Sequence, residues 1–177
     1  IREAIETPGR TAALITPDRM LAQRVSALLR RWDIEADDSA GRPLSQLAPG
    51  TLLLAIASAA AEDLAPVPLL ALLKHPLVGG EGEERRAWLD EVRLLDIALR
   101  GPRPAGGLEG LDRHFEEKHR EGSWRKIRPK LQLVASILRA PASMAEYARG
   151  IADAAQRLAG DRAWSRPEGR AAAGLVS

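Results

Sequence analysis

The chain predicts a mostly helical protein with a small α/β part: one βαβ unit followed by a helical subdomain. Three observations carry this reading. Residues 11 to 37 alternate between short apolar runs and a helical stripe in the order strand, helix, strand. From Pro49 onward the apolar spacing is helical almost throughout. Aromatics make up 3% of the chain against 45% hydrophobic residues, so the core is Leu, Ala, Ile and Val. That composition suits packed helices better than a sandwich rich in aromatic and β-branched residues.

Residues 1 to 6 read as the end of a helix, broken by Thr7-Pro-Gly-Arg10. Thr11–Thr16 is a short apolar run between breakers and predicts a buried strand. Thr16 or Asp18 is placed to cap the next helix, with Pro17 tolerated in its first turn. Met20, Leu21, Val25, Leu28 and Leu29 form its stripe, Asp33 turns the chain, and residues 34 to 37 predict a second, parallel strand. Two parallel strands do not make a stable sheet alone, so this unit requires further strands from elsewhere or thorough cover by helices.

Leu52–Ala61 is apolar on nearly every side, which predicts a buried helix, and Ala65–Lys74 is a second helix with Pro66 and Pro68 in its first turn. Pro76 ends it, leaving Lys74 at the negative end of the helix dipole. Gly79-Gly-Glu-Gly82 is the expected domain boundary, dividing an α/β segment at 1–78 from a helical subdomain at 79–177. Glu83–Arg100 is amphipathic, with Trp88, Val92, Leu95 and Leu99 on one face. After the connector Gly101–Gly107, charged helices follow at Leu108–Glu121 and Trp124–Ala140. Ser143 and Glu146 have capping-box spacing and open a helix to Gly160; Trp164–Glu168 reads as a further helix start. The partial first helix and the late helix start give the chain the look of a piece cut from something larger.

With no Cys, disulfides and thiolate metal sites are excluded. There is no signal-peptide pattern, and no apolar run reaches the roughly 18–20 residues of a membrane span. A soluble, cytoplasmic protein without membrane contact is the expectation. No GxxxxGK[ST] loop is present, so ATP hydrolysis by this chain alone is not expected.

Asp37-Asp38 offers carboxylates to Mg²⁺, but reads first as a strand-ending turn. His75 reads as a satisfied turn histidine rather than a general base. His114 and His119 fall roughly 140° apart on a helix, poor geometry for sharing a metal.

The one basic cluster runs from Lys118 to Lys130. Its candidate DNA-binding residues are Trp124, Arg125, Lys126, Arg128 and Lys130, where cations neutralise phosphates and an exposed Trp stacks on a base. The alternative is a solvated helix surface with Trp124 in the core. Arg19 is a further candidate, because ligands of open α/β sheets bind beyond the carboxyl ends of strands.

The segments Thr7–Arg19, Asp37–Leu44, Ala65–Leu77 (APVPLLALLKHPL) and Leu95–Ala105 (LDIALRGPRPA) together resemble AddB proteins, the B subunits of bacterial AddAB helicase–nucleases, in their α-proteobacterial form. The resemblance covers most of the chain up to about Gly110. The first 78 residues are also distantly similar to the start of the second RecA-like domain of UvrD-type helicases, with Thr16–Arg19 and Asp33–Ala36 at the motif positions and the helical remainder where such helicases insert an accessory subdomain.

The resemblance implies a non-catalytic, helicase-like segment in double-strand break repair. It would shape a DNA channel, pack against an AddA-like helicase–nuclease subunit and serve DNA ends. It implies no cofactor in this segment: in the family the iron–sulfur cluster and Mg²⁺ belong to the nuclease domain and ATP to the partner subunit. A helical protein-interaction module without DNA contact is the competing expectation, and an enzyme with an unrecognised nucleotide site is the third.

Overall fold

The computed structural model describes residues 4, 6–7, 9–34, 36–39, 41–165 and 167–176. Every regular element among them is helical, and no strand is present. This corrects the expected βαβ unit of a RecA-like domain. Residues 11 to 16 are irregular and mostly solvent-exposed, with Ile15 at 95% exposure. The physical reason is the lack of a partner: an apolar run becomes a strand only when a neighbour takes its backbone hydrogen bonds. The helix end expected at 1–6 and the second strand at 34–37 fall partly on residues outside the described set.

The chain divides into two compact units, residues 1–41 and 42–177. In the first, helix α1 spans Arg19–Arg30. Asp18 caps it, its carboxylate accepting the backbone N–H groups of Met20 (2.9 Å) and Leu21 (3.2 Å), so Pro17 lies before the cap rather than in the first turn. Asp33 takes φ 56°, a left-handed conformation that Asp tolerates better than most residues, and turns the chain as expected. Val25 and Leu29 of the predicted stripe face inward, joined by Ala22 and Ser26. Met20, Leu21 and Leu28 are exposed.

The second unit is a helical bundle of α2 (Ala48–Ala61), α3 (Pro66–Leu73), α4 (Gly82–Ala98), α5 (Gly107–Glu117), α6 (Glu121–Ser136), α7 (Met144–Ala159) and α8 (Pro167–Val176), with 3₁₀ turns at Leu44–Gln46 and Gly160–Ala163. Helix α6 packs on α2, α4, α5 and α7; α2 packs also on α3, α7 and α8. Trp124, Ile127, Leu131 and Val134 follow helical spacing on α6 and are all buried, meeting Leu52 and Ile56 of α2, Val92 and Leu95 of α4, and Phe115 of α5 in one core. Each fully buried Leu or Ile contributes about 2 kcal/mol. The capping box forms at α7: Ser143 Oγ accepts the Glu146 N–H, and the Glu146 carboxylate accepts the Ser143 N–H at 2.7 Å.

The Gly79–Gly82 segment is a turn inside this second unit, and both of its flanks contribute to the same core. It is held from several sides. Arg85 donates to the carbonyls of Val78 and Lys74, Arg162 to those of Pro76, Leu77 and Gly80, and the Trp88 indole to that of Leu73 at 2.8 Å. Gly79, at φ 86°, lies against the Trp88 ring so closely that a Cβ would collide with it.

Candidate functional site

The predicted basic cluster sits on α6 and on the chain leading into it, and the bundle uses most of it internally. Trp124 is 4% exposed, stacked at a tilt against Phe115 with ring centroids 4.8 Å apart. Its indole N–H donates to Asp112 Oδ1 at 2.6 Å. Arg128 forms a two-pronged pair with the same carboxylate, Nε to Oδ1 at 2.7 Å and Nη2 to Oδ2 at 2.8 Å. The Arg128 hydrogen bond first, then the Trp124 bond, hold the Asp112 carboxyl below its ordinary range, while Asp112 raises Arg128 in turn.

Lys126 pairs with Glu91, whose carboxyl is lowered chiefly by that bond and then by Ser123. Lys130 Nζ lies 5.8 Å from the centre of the Trp88 ring, a cation–π contact, and Lys126 and Lys130 share a shallow cleft with Glu84 and Glu91. Arg125 is exposed. Arg19 belongs to the first unit, where its guanidinium grips Asp38 (3.2 and 3.3 Å) and donates to the Gly41 carbonyl at 2.8 Å. The structure thus gathers Trp124 and Arg128 around one carboxylate, and Lys126 and Lys130 around one cleft; Arg19 stands in the other unit.

The histidines serve the framework. His75 is 8% exposed; its Nε2 lies 3.0 Å from Thr51 Oγ1, and Nδ1 accepts the Leu77 N–H at 3.3 Å. Thr51 Oγ1 passes its own proton to the Ala48 carbonyl, so this network places the ring proton on Nε2. Burial first, then Arg85, hold His75 below its ordinary value of 6.5. His114 Nε2 bonds the Ala98 carbonyl at 2.9 Å. His119 lies beyond the end of α5, with φ 53°. Among the described residues no group of three or more His, Cys, Asp or Glu side chains is placed to hold a metal ion.

One feature of the second unit was missed in the sequence. An apolar groove of about 650 Å³ opens between α2 and α7, lined by Leu44, Leu53, Leu54, Met144, Tyr147 and Ile151 among others, with Arg149 the one charged residue on its wall. Leu54 is 55% exposed and Met144 82%. The signal was present in α2, whose apolar residues run all round the helix. An all-round apolar helix that still shows Leu54 to solvent is not fully covered by its own bundle.

No family model matches the chain, and comparisons with curated proteins and with solved structures return no significant match. No helix among the described residues is long and apolar enough to cross a membrane.

Proposed function

We propose that the chain is a non-catalytic helical interaction module, serving as a packing segment of an AddB-like subunit in a double-strand break repair helicase–nuclease. The observation that carries it is the groove between α2 and α7. Contiguous exposed apolar surface of this kind marks a contact site more often than a monomer's free face. Its shape suits the helix-in-groove mode of recognition. The occupant is an amphipathic helix of an AddA-like subunit, with its apolar stripe on Leu54, Met144 and Ile151 and a carboxylate opposite Arg149. The titratable groups that chemistry would use, His75, His114 and Asp112, are instead engaged in framework bonds, which supports a structural role for this chain.

On this reading the module works in the cytoplasm and takes no cofactor of its own. ATP, Mg²⁺ and the iron–sulfur cluster belong to other parts of the assembly.

The test is co-elution of the chain with a purified AddA-type subunit, before and after Leu54→Glu with Met144→Glu. Both side chains are exposed, so the variant keeps its melting temperature. Co-elution of the unaltered chain that is lost in the variant supports the reading. Equal co-elution of both, or none with either, overturns it.

A second reading, weak and salt-dependent contact with single-stranded DNA at a channel wall, is favoured by the exposed Arg125 and by Lys130 at the rim of its cleft.

A further inference from the structure

The segment Pro102-Arg-Pro-Ala105 crosses helix α5 and makes a cleft with it. The cleft is lined by Arg103 from the segment, by Gly110, Arg113, His114 and Glu117 from α5, and by Lys118 at the helix end, with a volume of about 310 Å³. Residues 110, 113, 114 and 117 share one face of the helix by spacing alone.

Several features build this cleft in advance of any ligand. Gly110 lets the segment lie directly on the helix, since a Cβ there would collide with the Ala105 carbonyl. Pro102 and Pro104 fix φ on either side of Arg103, and the residue before a proline is itself confined to extended backbone. His114 is tied through Nε2 to the Ala98 carbonyl, which fixes the ring at the cleft wall. At the other end of α5 the Asp63 carboxylate lies against Gly106 and Gly107, and the Asp63 carbonyl accepts the Gly107 N–H at 2.8 Å. The helix is thus anchored at both ends.

The charges around the cleft do not cancel. Arg103, Arg113 and Lys118 bring three cations against the single carboxylate of Glu117. None of the three takes part in an ion pair among the described residues, whereas Lys74, Lys126, Arg128 and Arg162 are all paired. Lys118 alone is accounted for by the negative end of the α5 dipole. Arg103 and Arg113 are not, since one lies outside the helix and the other within it.

We propose that the cleft between residues 102–105 and α5 is a phosphate-binding site, in which Arg103, Arg113 and Lys118 take the oxygens of a phosphoryl or phosphodiester group. Guanidinium forks suit those oxygens in geometry as well as charge. The volume leaves room for the phosphate and part of the group that bears it. The site shares no residue with the apolar groove and does not rest on the packing role proposed for it.

The experiment uses the full chain and two probes. Inorganic pyrophosphate is titrated by calorimetry, and a short fluorescein-labelled oligothymidylate by anisotropy at several salt concentrations. The proposal expects saturable binding of at least one probe, weakened about tenfold or more by Arg103→Ala with Arg113→Ala, and with a shallower salt dependence for the oligonucleotide. Glu117→Gln removes the opposing charge and is expected to tighten the same binding, an effect that unfolding does not mimic. All of these side chains are at the surface, and an unchanged melting temperature checks the fold.

Binding of pyrophosphate alone assigns the site to small phosphorylated ligands, and binding of the oligonucleotide assigns it to a nucleic-acid backbone. Binding of neither probe overturns the proposal. So does binding that the double variant leaves unchanged, or that Glu117→Gln does not tighten.

Discussion

Trp124 and Asp112 are joined by a 2.6 Å hydrogen bond from the indole N–H to a carboxylate oxygen. That oxygen also takes the Nε–H of Arg128, so one side chain of α5 satisfies two of α6. Asp112→Ala leaves the indole N–H of buried Trp124 and a guanidinium without their acceptor, and is expected to destabilise the protein by about 2 kcal/mol. Asp112→Asn keeps an oxygen for Trp124 and is expected to cost less. Urea unfolding checks both, with the midpoint shifting at constant slope.

Stability is expected to fall in two steps on acidification. His75 is held below 6.5, so the unfolded chain takes up its proton at higher pH than the folded chain does. This contribution is complete above about pH 7 and is lost as pH falls below the unfolded value. Asp96, lowered chiefly by its bond from Lys74, and Asp112, lowered chiefly by Arg128, contribute stability that is present above the unfolded carboxylate range. It is lost as pH falls through about 4 and below. Urea midpoints across this range give the two steps, and His75→Gln is expected to abolish the upper one while leaving the lower. An unchanged upper step in that variant assigns it to another group.

Two glycines with positive φ separate conformational strain from collision. Gly82, at φ 50°, has open space where a Cβ would stand, and Gly82→Ala is expected to cost about 1 kcal/mol. Gly79, at φ 86°, faces the Trp88 ring, and Gly79→Ala adds overpacking to the same strain, for a total of about 2–3 kcal/mol. Equal melting temperatures for the two variants would contradict the close stacking of the turn on Trp88.

Ser143→Ala removes the acceptor for the Glu146 N–H and is expected to cost about 1 kcal/mol. Ser143→Asp restores most of it, since Asp is an equally good cap. Thermal unfolding of the pair checks the cap against a general surface effect.

The helical half of the molecule was legible in the sequence because helix formation is local. The buried α2, the Lys74 terminus of α3 and the Ser143–Glu146 box follow from spacing and capping chemistry alone. That residues 11–16 form no strand was not legible. A strand exists only through a partner, and an apolar run carries no information about whether one is present. Among the candidate residues, Trp124 is in helical step with Ile127, Leu131 and Val134, a spacing that favours its core alternative over an exposed stacking Trp. The partners of Lys126 and Arg128 were hidden, because Glu91 and Asp112 lie 35 and 16 residues away on other helices. The Arg103 cleft was hidden for the same reason. Gly110 is a weak signal by itself, and gains meaning only once the Pro102–Ala105 segment is seen to lie against it.

Arg162 binds the carbonyls of Pro76, Leu77 and Gly80 from more than eighty residues further along the chain. That separation sets an order of events. During synthesis α2 and α3 emerge early, but the turn after them waits for the last part of the bundle before this clamp closes. Closure over such a span is slow relative to helix formation. These helices therefore form before the turn that follows them is fastened.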